Sequence, residues 1–191
     1  PKGCESLLDL VAIATVADMV PLIDENRLLV IKGLEIMQQG SSFGTQALIR
    51  VSQDKAAPIN SHDLGWKLGP RINSAGRLAD ANLALKLLLA PNRREAEDLA
   101  YKLNQLNLRR RELQQIAVND TLKVLKSQKK STALIIVVGD DWNLGVIGLI
   151  AGNLLREFNK PVIVFSRVLG NGIVKGSARS PQGFNIGEAI A

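Results

Sequence analysis

The sequence predicts an α/β protein, with a mostly helical first part, one long connecting helix, and a closing strand–helix–strand unit. Three observations carry this. Apolar residues recur at three- and four-residue steps through much of the chain as far as Lys126, which is the spacing of helices with one buried stripe. The pattern from Asn92 to Lys126 is unbroken and would make a helix about 50 Å long at 1.5 Å per residue, longer than an ordinary globular helix. Beyond it, the β-rich runs TALIIVV and PVIVF bracket a helical pattern from Gly145 to Phe158.

Taken in order, LLDLVAIATVADMVPLI at residues 7–23 is apolar and ends at Pro21. Glu25 to Gln39 is an amphipathic helix whose expected buried stripe is Leu28, Leu29, Ile31, Leu34, Ile36 and Met37, closed by Gly40. A shorter helix is expected over Thr45 to Val51, and a polar loop over Asp54 to His62. Gly69, Pro70, Asn73, Ser74 and Gly76 are turn-formers that predict a break. A helix resumes near Asp80 and stops before Pro91. Asn92 and Glu95 then have capping-box spacing at the head of the long helix. Ala96, Leu99, Leu103, Leu106, Leu113, Ile116 and Leu122 form its expected stripe. The polar SQKKS at 127–131 marks a boundary. The strand–helix–strand order after it implies a parallel pair with a right-handed crossover. A further extended stretch, GIVKGSA, precedes a last helix headed by Asn185 and Glu188, again with capping-box spacing.

Composition narrows the function classes. With 46% hydrophobic and 22% charged residues, the chain has the balance of a globular protein. Its apolar runs are too short to span a bilayer, and no secretory signal pattern is visible. One cysteine, Cys4, excludes an internal disulfide framework and fits a reducing cytosol. The net charge of +6 suits a polyanion as well as it suits a plain solvated surface. Aromatic residues are only 4%, so contact with nucleic acid should lean on phosphates. A start at Pro1 and a stop inside the final helix lead us to expect a gene product that continues in both directions.

Several residues could carry chemistry. Asp18 follows the first apolar run, where a carboxylate could reach a hard divalent cation; Asp9 competes for that role, and a turn aspartate is the plain alternative. His62 is the sole histidine, so no set of paired histidine ligands can form. Arg71, Asn73 and Arg77 in GPRINSAGR could clamp a phosphate, or the arginines could bind carbonyls and pin the segment. Arg109, Arg110 and Arg111 sit mid-helix, mostly as a solvated surface. GDDWNLGVIG lacks the lysine of a phosphate loop, and Gly145, Gly148 and Gly152 are more simply a face for close packing. Lys175, Ser177, Arg179 and Ser180 in KGSARS offer several donors to a phosphodiester backbone, or form a turn between strand and helix.

Read together, DLVAIATVADMVPL with ENR, LGPRINSAGRL, LNQLNLRRRELQ, WNLGVIGLIAGNLL, KPVIVF and KGSARSPQGFNI resemble the RecJ family of the DHH phosphoesterase superfamily, in order and over nearly the whole chain. The resemblance implies that 1–91 is the C-terminal part of a DHH catalytic lobe, 92–128 the long connecting helix, and 129–191 a partial DHH-associated, DNA-binding lobe. It implies a metal-dependent 5′-to-3′ single-stranded-DNA exonuclease of repair and recombination. Two divalent metals, Mn2+ or Mg2+, would serve it, and a single-strand-binding protein or helicase would be a possible partner, with no membrane involved. On this resemblance Asp18 is a metal ligand and Asp9 structural. Arg71, Asn73 and Arg77 lie at the cleft mouth, and Lys175, Ser177, Arg179 and Ser180 form a DNA-facing loop. The DxD and DHH motifs are absent, Ala14 stands where glycine is usual, and Asn143 takes no catalytic role. The chain alone should therefore be inactive. Two other readings stay open: a binding module for single strands or a partner protein, and a phosphodiesterase of short oligonucleotides or cyclic dinucleotides within the superfamily.

Overall fold

A computed structural model describes residues 4–52, 58–127, 132–167 and 172–191. It divides into two compact units, Pro1–Leu108 and Arg109–Ala191, the division falling inside the longest helix.

The first unit contains α1 (Leu8–Ala17), α2 (Asp24–Gly40), α3 (Phe43–Ser52), α4 (Ser61–Asp63), a π-helical segment (Leu64–Leu68), α5 (Gly69–Leu78), α6 (Asn82–Leu88) and the start of α7 (Arg93–Ser127). The sequence of α1, LDLVAIATVA, is apolar on nearly every side; Asp9, Ala12 and Ile13 are buried and most of its other residues are half-buried. α2 comes so close that a Cβ on Gly33 would lie 2.3 Å from the Leu8 carbonyl oxygen and 2.5 Å from the Ala12 Cβ. This contact fixes the rotation of α2. Val30, Gly33 and Met37 are its buried line, whereas Leu28 and Ile31, expected in the stripe, are exposed.

α3 starts two residues earlier than its apolar pattern suggests, because the Ser42 hydroxyl accepts the Thr45 N–H at 3.2 Å. Of the expected loop from Asp54 to His62, residues 53–57 lie outside the described residues, and the loop ends at Asn60. There Asn60 Oδ1 accepts the Asp63 N–H while Asp63 Oδ2 accepts the Asn60 N–H, both at 3.2 Å. This reciprocal cap starts the next helix.

The expected break at GPRINSAG does not occur. Residues 61–78 run helically from α4 through the π-helical segment into α5. Pro70 cannot donate to the carbonyl one turn back, and its ring crowds that turn. The wider π turn just before it accommodates the proline without ending the helix. Ser74 and Ala75 are buried, with Ser74 Oγ donating to the carbonyls of Arg71 (2.6 Å) and Leu103 (3.3 Å). The small residues of this segment thus serve close helix packing, which overrides their turn propensity.

α7 begins as expected, with Asn92 Oδ1 accepting the Glu95 N–H at 2.9 Å. Ala96, Leu99 and Leu103 are buried in the first unit. Farther along, Ala117, Val118 and Thr121 are buried while Ile116, expected in the stripe, is exposed.

In the second unit, β1 (Ile135–Asp140) pairs parallel with β2 (Val162–Arg167) through α8 (Leu144–Phe158), and β2 pairs antiparallel with β3 (Val174–Arg179). The order is β1-β2-β3. Ile135, Val137, Val162 and Val164 are buried, as are Val146, Ile147, Ile150, Ala151 and Leu154 of α8, which packs on the sheet. The residues between them on β1, Ile136 and Val138, are exposed. The chain closes with α9 (Ile186–Ile190), where Asn185 Oδ1 accepts the Glu188 N–H as its spacing predicts. Most of the SQKKS boundary, residues 128–131, lies outside the described residues.

Because the neighbours of Gly33 are main-chain and Cβ atoms that cannot swing away, Gly33→Ala should lower stability by about 1–3 kcal/mol. A shift of the urea midpoint without a change of slope would measure it.

Candidate functional site

The end of α1 forms a six-residue turn. The Val20 N–H donates to the Thr15 carbonyl at 3.0 Å and the Met19 N–H to the Val16 carbonyl at 3.1 Å. Met19 is in the left-handed region at φ +56° with its side chain in solvent. This is the Schellman arrangement, usually built with glycine. It ends the helix at Asp18 and leaves that carboxylate exposed. Asp18 borders a cavity of about 530 Å³, together with Thr15 of α1 and Gly69, Ile72 and Asn73 of α5.

Asp9 lies elsewhere. Nine residues at 100° each put it half a revolution from Asp18, and it is fully buried. Its Oδ1 accepts the Leu10 N–H at 2.8 Å, and its Oδ2 has no partner among the described residues. The two aspartates do not converge.

α5 separates its polar side chains by face. Arg71 turns inward: Nε donates to Asn104 Oδ1 at 3.0 Å, Nη1 to the Lys67 carbonyl at 2.8 Å and Nη2 to the Val51 carbonyl at 3.3 Å. Asn73, two residues on, is exposed on the cavity side. Arg77 is one turn beyond Asn73, in the last turn of α5.

Beside this helix stands a group that composition alone did not single out. Asp63 is buried and paired with Lys67 at 2.7 Å. Burial by itself pushes the Asp63 carboxyl up. The hydrogen bond from Lys67, the Asn60 N–H and the charges of Lys67 and His62 outweigh it and hold the carboxyl below its ordinary value. The His62 ring stacks on Trp66, centroids 6.0 Å apart. Their four-residue spacing was the available signal.

In the second unit KGSARS is not a turn. Lys175 to Arg179 lie within β3, and only Ser180 follows it, its Oγ donating to the Phe184 carbonyl at 2.7 Å. The register sets Lys175 opposite Ser166, Ser177 opposite Val164 and Arg179 opposite Val162. Residues paired in this way share a face, so all three project on the side where α8 packs. There a Cβ on Gly148 would lie 3.2 Å from Ser177 Oγ and 3.7 Å from Arg179 Nη2. Of the glycines expected to line a close contact, Gly148 does so, whereas Gly152 meets nothing within 4 Å. Asn143 is the N-cap of α8, its Oδ1 accepting the Gly145 N–H at 2.8 Å. Lys175 and Arg179 make no ion pair among the described residues, and Arg179 Nη1 donates to the Ala178 carbonyl at 2.7 Å. On α7, Arg109 pairs with Glu112 and Arg110 reaches Gln114 Oε1 at 3.1 Å.

Residues 130–191 match the model of the DHHA1 domain. Across 98% of its length the chain is 38% identical to the single-stranded-DNA-specific exonuclease RecJ of Bacillus subtilis, covering 24% of that protein. Its identity to the RecJ of Escherichia coli is 38% over 96% of the chain and 33% of the relative. Among solved structures, RecJ of Thermus thermophilus in complex with Mg2+ superposes with a TM-score of 0.86 at 29% identity, over all of this chain and 29% of that one. The chain is a RecJ-like segment. A structure of exonuclease RecJ bound to manganese is similar at a TM-score of 0.83 and 29% identity, with 46% of its chain covered. The RecJ-like segment therefore spans between about a quarter and a third of the curated relatives cited.

The residues of this RecJ-like segment do not by themselves fit a metal centre. Among the described residues no three His, Cys, Asp or Glu side chains come together to hold a metal ion, and Asp18 enters its cavity as a single carboxylate. Nor is any helix among the described residues long and apolar enough to cross a membrane.

A carboxyl held low in the folded state stabilises the fold fully above its unfolded value, about 3.9. That contribution is lost as pH falls through the folded value. Asp63→Ala should cost about 1–2 kcal/mol at neutral pH, through the lost cap and ion pair. Urea titrations should show the gap to wild type narrowing when the pH is brought to about 3.

Proposed function

We propose that this chain is part of a metal-dependent 5′-to-3′ single-stranded-DNA exonuclease, a hydrolase of phosphodiesters in DNA repair and recombination. The reading rests on one observation: identity of 37–38% to proteins named single-stranded-DNA-specific exonuclease RecJ, sustained over 96–100% of the chain. Residues 1–91 are then the C-terminal part of the DHH catalytic lobe, 92–128 the connecting helix and 129–191 part of the DHH-associated lobe. Asp18 contributes one ligand to a Mn2+ or Mg2+ site that residues outside this sequence complete, and Asn73 and Arg77 lie near it. Arg71 holds the helix that carries them. Lys175, Ser177 and Arg179 meet the phosphate backbone along β3, with Ser180 fixing the chain just after it. The enzyme works in the cytoplasm, with a single-strand-binding protein or helicase as partner.

Purified alone, the chain should hydrolyse no single-stranded DNA with either metal, since one carboxylate cannot hold two cations. In the longer enzyme, Asp18→Ala should lower turnover at least about a hundredfold while DNA affinity changes little. Unchanged turnover at saturating metal would remove Asp18 from the site.

The β3 donors lead to a second expectation. Binding of the chain to single strands should weaken as salt rises, with a slope near −0.7 per phosphate contact. Arg179→Ala should make that slope shallower by roughly one contact's share and lower affinity equally for all sequences. A mutant that loses thermal stability at an unchanged slope would show that Arg179 only secures β3.

A further inference from the structure

We propose that Trp66, backed by His62, is a stacking platform for the unstacked bases of the single strand bound by this chain; the inference rests on the nucleic-acid reading above. Trp66 is the most exposed aromatic side chain described, with 67% of its surface open. A lone exposed indole would mean little, but the surroundings of this one hold it in place. Leu64 and Leu68, two residues to either side, are fully buried. A Cβ on Gly65 would meet the Val16 side chain at 3.3 Å, and one on Gly69 would meet the Ala17 Cβ at 3.1 Å. The chain is therefore anchored on α1 both just before and just after Trp66, and Trp66 itself is turned outward.

The ring is also oriented. His62, one turn earlier, stacks on it with 26° between the planes, and His62 begins from the reciprocal Asn60–Asp63 cap. The Lys67–Asp63 pair fixes the neighbouring turn. An indole already held in a stack loses little rotamer freedom when a further ring is added, and bases offer such a ring whatever their sequence. The net charge of +6 makes a polyanion the complementary partner. Single-stranded nucleic acid alone among common polyanions combines that charge with free aromatic faces. Asn73 and Gly69, which border the Asp18 cavity, follow within two turns of the same helical run, so a base held at Trp66 leaves its strand near that cavity.

The test compares a labelled oligo-dT strand with an abasic strand of equal length and charge, by fluorescence anisotropy on the full chain. Trp66→Ala should weaken dT binding about tenfold and leave abasic binding unchanged, while Trp66→Phe keeps most of the dT affinity. Intrinsic fluorescence should be quenched by dT more strongly than by the abasic strand, and this difference should disappear in Trp66→Phe. Equal losses on both strands, or equal affinity of wild type and Trp66→Ala for dT, would overturn the platform while leaving phosphate binding intact. Failure of wild type to bind either strand would overturn the platform and the nucleic-acid reading together.

Discussion

The first unit depends on how closely other backbones can approach α1. That helix is apolar on nearly every side, and its neighbours bury Ala12 and Ile13 by giving up side chains where they touch it. Gly33 of α2, Gly65 of the π-helical segment and Gly69 of α5 all lie on α1. Once these contacts are made, little freedom remains in how α2 or α5 can rotate. The faces turned toward and away from the core follow from them, including the one that brings Asn73 to the cavity bordered by Asp18. Positions that look permissive by composition are therefore among the least replaceable.

Much of the fold was legible before any coordinates. α2, α6, α7 and α8 have the three- and four-residue recurrence of half-buried helices, and β1 and β2 are short β-rich runs separated by a helix, so type and order follow from pattern. α1 was harder, because a helix apolar all round carries no period, and only its length distinguishes it from a strand. The α4–α5 run was misread for a different reason. Glycine, serine, asparagine and proline are turn-formers in isolation, but here they are the residues small enough, or suitably placed, for tight helix packing. Local propensity gave way to tertiary contact.

The candidate site shows the same division. The special position of Asp18 could be read from the end of its apolar run, yet its separation from Asp9 needed the helix to be seen. Arg71 and Asn73 look like one phosphate clamp in the sequence, but two residues along a helix turn them to different sides. Lys175, Ser177 and Arg179 have the two-residue alternation of a strand face, and that signal was present all along. It was masked by Gly176 and the serines, which suggest a turn.

The π-helical segment carries one residue more per turn than its neighbours, and this has a consequence for everything that follows it. In a regular helix each residue advances the phase by about 100°. The additional residue between Asn60 and Pro70 therefore works as a phase shifter, setting the azimuth of the ten residues of α5 relative to the cap at Asn60. A chain lacking it could keep every side chain of PRINSAGR and still aim them about a quarter-turn away, with Asn73 no longer facing Asp18. What the segment encodes, then, is an angle as much as a set of functional groups, and its sequence is legible only in the register in which it is wound.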